Sequence, residues 1–200
     1  VQDGRLESSD LRRRSLLKCV GVDGAKSSWI AVWRQSEEFR HAMYPDAASL
    51  VHRHEAAAVI AVDVPIGLTT SGPRMADREA RRFVGGHRAC SVFPAPVRGV
   101  LNAGTQADAS RLHRTIDGRG FGAQAFGILP KVREWDLLLR SSTQIRTQVR
   151  EVHPEVSFAA LNGGAGLREG KKLDSGQEAR LRLLGEVLGT ASILGLLSRV

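Results

Sequence analysis

Two aspartates, Asp23 and Asp63, stand where short apolar runs end, in Lys18-Cys-Val-Gly-Val-Asp23 and Val59-Ile-Ala-Val-Asp63. A charged group closing a buried β-run is costly unless something pairs it. If the two runs are neighbouring parallel strands, their ends lie roughly 4.8 Å apart, and both carboxylates can grip one divalent cation. A third acid, Glu151, falls at the end of another β-like run, Gln144–Val152. Three carboxylates converging without a cation repel, and some must take up protons. Two Mg²⁺ or Mn²⁺ ions roughly 3.5–4 Å apart, held by hard carboxylate oxygens, stabilise both the attacking and the leaving oxygen of a phosphodiester. Metal-assisted phosphate chemistry is the expectation, with Asp23, Asp63 and Glu151 as catalytic and metal-holding residues.

Other residues could serve that chemistry or merely the fold. Gly24 would let a phosphate backbone come close to Asp23. His153 could orient a phosphate or move a proton, or be a hydrogen-bonded turn residue. Glu155 is a spare acid that could exchange roles with Glu151, which is preferred because it directly ends the β-run. Arg74, Arg78, Arg81 and Arg82 give one helix a basic face that could meet phosphates. Asp77 and Glu79 interrupt it, and a solvated face with helical ion pairs is the alternative. Lys171 and Lys172 follow a glycine-rich loop and could close over a phosphate or simply be exposed. Gly118-Arg-Gly-Phe-Gly122 lacks both the strand–loop–helix context and the GxxxxGK[ST] spacing of a phosphate loop.

The elements that must position these residues follow from pattern. β-like runs cover Lys18–Asp23, Trp29–Trp33 and Phe39–Tyr44, with Gly24–Ser28 as a tight connection between the first two. Asp46 caps a short helix, Ala47–His54. A fourth strand, Ala57–Val62, is apolar throughout, as suits a strand covered on both faces. Helices follow at Met75–Val84 and Ala107–Thr115, with residues 85–104 irregular. Residues 124–140 are largely helical despite Pro130, with Ile128, Val132, Trp135 and Leu139 on one stripe. Trp29 and Trp33 alternate on one strand face and read as core. A fifth strand, Gln144–Val152, precedes a helix at Pro154–Leu161, and an amphipathic helix runs from about Ser175 toward Leu197. Three antiparallel strands followed by two strands reached through helices is the topology of a ribonuclease H-like fold. It is an α/β architecture with a five-stranded mixed sheet, flanking helices and a helical insertion. Crossovers of that kind bring functional groups to the carboxyl ends of the strands.

The bulk numbers agree with one domain. Two hundred residues, 42% hydrophobic, make one well-filled core. Residues 1–15 read as a loose arm and 16–200 as a single domain. The chain opens without Met and reads as an excerpt. Lys plus Arg number 29 against 21 Asp plus Glu, a formal +8, which favours polyanionic partners such as DNA or RNA. Two distant cysteines, Cys19 and Cys90, make no zinc pattern and fit a reducing cytosol. No apolar run approaches the ~20 residues needed to cross a bilayer.

Several stretches together carry a resemblance: Val20-Gly-Val-Asp-Gly24, Ala61-Val-Asp-Val-Pro-Ile-Gly-Leu68, Arg74-Met-Ala-Asp77 with Ala80-Arg81, and Ser91-Val-Phe-Pro-Ala-Pro96. Gln124-Ala-Phe126, Pro130-Lys-Val-Arg-Glu-Trp-Asp136, Glu151-Val-His-Pro-Glu-Val-Ser-Phe158 and Lys171-Lys172 follow in order. Over residues 18–185 the chain resembles the predicted ribonuclease H-like nucleases, a family of largely unknown function whose relatives include Holliday-junction resolvases. The resemblance implies a two-metal nuclease site in which Asp23 matches the first-strand aspartate, Asp63 the fourth-strand acid and Glu151 the acid after the fifth strand. It also implies one more acid from a final helix, whereas residues 189–200 carry none. Either the chain stops short of that element or the site is incomplete. A catalytically degenerate nucleic-acid-binding module is therefore one alternative, and a nucleotide or phosphate-ester hydrolase another.

Overall fold

Alternation along β1 (Cys19–Ala25) turns Val20 and Val22 inward, and β2 (Ser28–Gln35) does the same with Trp29 and Ala31. β1 and β2 pair antiparallel, with Ala25 opposite Ser28. The connection is thus the two-residue turn Lys26-Ser27, tighter than expected, and Gly24 belongs to the strand. Lys26 takes φ +45°, the left-handed backbone that two-residue hairpins demand. β3 (Glu38–Tyr44) pairs antiparallel with β2. β4 (Val59–Val62) and β5 (Val149–Glu151) then add in parallel on the other side of β1. The sheet order is β3-β2-β1-β4-β5, the expected α/β architecture with a five-stranded mixed sheet. The computed structural model describes residues 18–86 and 88–198. The expected arm over residues 1–15 lies outside the described residues.

The helices are α1 (Ala47–Arg53), α2 (Met75–Val84), α3 (Gln106–Asp117), α4 (Ala123–Gly127), α5 (Leu129–Ser141), α6 (Thr143–Gln148), α7 (Pro154–Leu161), α8 (Asp174–Leu188) and α9 (Thr190–Leu197). Asp46 caps α1 by accepting from Ser49 N at 2.7 Å. Leu50 and Val51 of α1 join Val132, Trp135 and Leu139 of α5 in the core against Val20, Val22, Ile60 and Val62. Trp29 is fully buried, edge-on to Trp135 at 5.6 Å between ring centres, while Trp33 is half-buried at the margin. β4 alternates half-buried and buried residues, so it is less completely covered than its apolar sequence implies.

Three expectations change in detail. The fifth strand is only Val149–Glu151, because Ser142 caps a helical segment by accepting from Ile145 N. At the end of that segment Gln148 Nε2 donates to the carbonyls of His54, Glu55 and Ala57, tying β5 to the entry of β4. The segment 124–140 is two helices meeting at Ile128, with Pro130 in the first turn of α5, where its missing N–H costs nothing. Ile128 leaves the apolar stripe and is more than one-third exposed. The last helix is likewise two, divided at Gly189 with φ +85°. No helix among the described residues is long and apolar enough to cross a membrane.

The segment Pro130–Asp136 holds the sheet to its helices. Lys131 lies 4.2 Å over the Trp29 ring and donates to Ser28 O. Glu134 accepts from Trp29 Nε1 at 3.0 Å and from Ala47 N. Arg133 donates to Leu101 O, and Asp136 pairs with Arg98. Each charged side chain of the motif after Pro130 therefore has an architectural partner.

Candidate active site

The parallel pairing of β1 and β4 ends at Val22 opposite Val62, and Asp63 N donates to Val22 O at 3.1 Å. Asp23 and Asp63 follow side by side as expected, but only Asp63 lies past its strand: β1 runs on through Asp23 to Ala25, because β2 continues to pair with it. Asp23 is exposed and Asp63 half-buried. Burial, and then the charge of Asp23, push the Asp63 carboxyl up to about 6; His153 and Lys171 pull it down, and Glu151 adds a smaller upward push. Burial and a like charge thus both oppose the ionisation of Asp63.

Glu151 is placed differently. β5 pairs with β4 so that Glu151 stands opposite Val62, one step behind Asp63, and Val152 N donates to Val62 O. The residue in line with Asp63 is thus Val152, and a one-residue offset moves a side chain to the alternate row. Both oxygens of Glu151 are engaged. Oε2 accepts from Ile66 N at 3.0 Å and from Arg74 Nη1 at 2.6 Å, and Oε1 accepts from Arg74 Nη2 at 2.8 Å. Among the described residues no group of three or more His, Cys, Asp or Glu side chains is arranged to hold a metal ion. The pair Asp23–Asp63 alone fits a hard cation of the Mg²⁺ kind, which commonly takes one or two carboxylates and completes its shell with water and substrate phosphate.

Arg74, expected to contact phosphate, is buried and spent on the protein: besides Glu151 it binds Asp77 and the Ile66 carbonyl. Burial works against its charge, but the hydrogen bonds and charges of Glu151 and Asp77 outweigh that and raise its pKa. Arg81 Nε donates to Val92 O. The spare acid Glu155 is buried and held by Arg180 through contacts of 2.7 and 2.9 Å. The open face of Gly24 is occupied too, since a Cβ there would meet Lys131 Cδ at 2.7 Å. Lys171 and Lys172 are exposed, and Lys171 is near enough to act on Asp63.

His153 is tied to the neighbouring loop: its Nε2 faces the Ser91 carbonyl at 3.1 Å, and a carbonyl only accepts, so Nε2 donates. Its Nδ1 is buried without a partner. A cleft of about 530 Å³ brings Asp63, Glu151, His153 and Lys171 together, with apolar walls from Phe93 and Ile128.

The partnerships Arg74–Glu151–Asp77 and Glu155–Arg180 escape sequence reasoning. The i,i+3 spacing of Arg74 and Asp77 is the one local signal, and it reads equally well as a solvated pair. Nothing in the chain marks Arg180 as the partner of Glu155.

Comparison with curated proteins and with solved structures finds no match. A family model described as "Protein of unknown function (DUF429)" matches residues 21–198, a span that includes Asp23 and Asp63, the cleft and both terminal helices. The chain belongs to that family.

Proposed function

We propose that the protein is a divalent-metal-dependent hydrolase of phosphodiester bonds in DNA or RNA, akin to the ribonuclease H-like nucleases. One observation carries the reading: two adjacent carboxylates just past the last paired residues of β1 and β4, Asp23 and Asp63, in which Asp63 is pushed up to about 6 by burial and its neighbour's charge. A cation between them removes that conflict. Asp23 and Asp63 would hold Mg²⁺ or Mn²⁺, which when bound supplies charge stabilisation to the phosphoryl oxygens. The chain's own residues do the rest. Lys171 draws the phosphate toward the cleft, and His153, held by the Ser91 carbonyl, lines the cleft beside Asp63. Glu151, with both oxygens committed to Arg74, positions the Ile66 loop and stands behind the aspartates.

The experiment is cleavage of single- and double-stranded DNA and RNA with Mg²⁺ or Mn²⁺, comparing wild type with Asp23→Asn. Cleavage that depends on Asp23 supports the assignment; equal cleavage by both proteins removes it. The engagement of Glu151 by Arg74 favours a second reading, a module that binds nucleic acid without turnover. Salt-sensitive binding with no cleavage by the wild type would select it.

A further inference from the structure

The segment Ser91–Pro96 has a feature the hydrolase reading leaves unused. Val92, Ala95 and Pro96 are buried, yet Phe93 between them is 55% exposed. A lone exposed apolar side chain is ordinary; this one is held out by a backbone fastened on both sides. Arg81 Nε donates to Val92 O at 2.9 Å, His153 Nε2 to Ser91 O, and Ala95 N to Asp77 Oδ2 at 2.8 Å. Asp77 is itself fixed by Arg74 and, through it, by Glu151. Three side chains, two from α2 and one from the junction of β5 and α7, thus fix the backbone on both sides of one aromatic ring on the wall of the cleft that contains Asp63. Ile128, displaced from its helical stripe, and Phe158, with Arg180 5.4 Å over its ring, line the same cleft. The buried charges of the cleft are paired among themselves, Arg74 with Glu151 and Asp77, Arg180 with Glu155. Lys171 and Asp63 therefore share one cavity with an apolar, aromatic wall.

We propose that this cleft binds a single unpaired nucleotide unit, its base against Phe93 and its phosphate at the Asp63–Lys171 end. A flat π-surface is what every base offers to an aromatic side chain, and a cavity of about 530 Å³ suits one drug-sized ligand, not a stacked duplex. The substrate would then be single-stranded, or presented with a base turned out of its stack. The inference rests on the hydrolase reading for the placement of the phosphate.

The test is a fluorescence titration of a single-stranded oligonucleotide carrying 2-aminopurine with the full chain and Ca²⁺, alongside the free 2-aminopurine nucleotide and the same strand annealed to its complement. Stacking quenches the fluorophore. Phe93→Ala, exposed and so expected to melt like the wild type, should bind about tenfold or more weakly, with Phe93→Tyr close to wild type. The duplex should also bind about tenfold or more weakly. Quenching by the free nucleotide at comparable affinity identifies a mononucleotide as the ligand; quenching only within the strand identifies a polynucleotide. Absence of quenching, equal binding by Phe93→Ala, or equal binding of the duplex overturns the proposal. Cleavage that depends on Asp23 together with binding indifferent to Phe93 would leave the hydrolase standing and remove the base slot. Binding sensitive to Phe93 with cleavage indifferent to Asp23 would do the reverse.

Discussion

Arg74 grips both oxygens of Glu151, with Nη1 2.6 Å from Oε2 and Nη2 2.8 Å from Oε1, across 77 positions of chain. Such a bidentate pair is geometrically specific. It joins the end of β5 to the start of α2, and Asp77 extends it to Ala95. The acid expected to help cage metal has both oxygens engaged by Arg74 and Ile66 N.

Removing one member of a buried pair strands the other. Arg74→Met should therefore lose roughly 3–5 kcal/mol of stability, because Glu151 and Asp77 keep buried or half-buried charge without the cation that balances it. Arg78→Met, on the exposed part of the same helix, should change it by no more than about 0.5 kcal/mol. Urea unfolding of the two variants measures the difference, and similar midpoints would contradict the role given to Arg74.

Asp63 couples stability to pH. Its carboxyl moves from 3.8 to about 6 on folding, so between those values the folded chain holds the proton more tightly. Its contribution is full below about pH 3.8 and is lost as pH rises through 6. Asp63→Asn should match wild type near pH 4 and exceed it above pH 6, by on the order of 1–2 kcal/mol after allowance for solvent screening. Thermal melts across that range check it. Added Mg²⁺ should narrow the gap by stabilising the wild type alone, and a gap that is constant with pH would refute the coupling.

His54 works in the opposite direction. It is buried, bonded to the Tyr44 hydroxyl at 2.9 Å and packed on Trp33. Burial, then the charges of Lys18 and Arg53, lower it from 6.5 to about 4. As pH falls from 6.5 toward 4 the unfolded chain takes a proton that the folded chain refuses, so stability falls. Ring proton resonances of His54 should stay at their neutral position down to about pH 5. A midpoint near 6.5 would show that the ring is not enclosed as described.

Gly189 divides α8 from α9 at φ +85°, a backbone region that side chains adopt only under strain. Gly189→Ala should cost about 1 kcal/mol or more, whereas Gly195→Ala, within α9 and with open space at the Cβ position, should be neutral or stabilising. Paired melting curves decide between a required hinge and an incidental glycine.

Local pattern carries far in this chain. The alternation in β1 and β2, the cap at Asp46 and the bounds of α2 and α7 are legible in the residues, because each rests on neighbours a few positions apart; the adjacency of Asp23 and Asp63 follows only from the expected parallel pairing of β1 with β4. Ser142 shows the limit even locally: its cap turns the start of an expected strand into α6. What tertiary structure alone decided is who meets whom. Glu151 finds Arg74 77 residues away and Glu155 finds Arg180 25 residues away, and neither choice leaves a mark in spacing. The offset of β5 by one residue, which sets Val152 and not Glu151 beside Asp63, is likewise invisible in a sequence with period-2 ambiguity. The cleft exists only once α2, α7 and the Ser91–Pro96 segment are packed together, since long-range burial, not local propensity, makes a cavity and selects which charges it leaves unpaired.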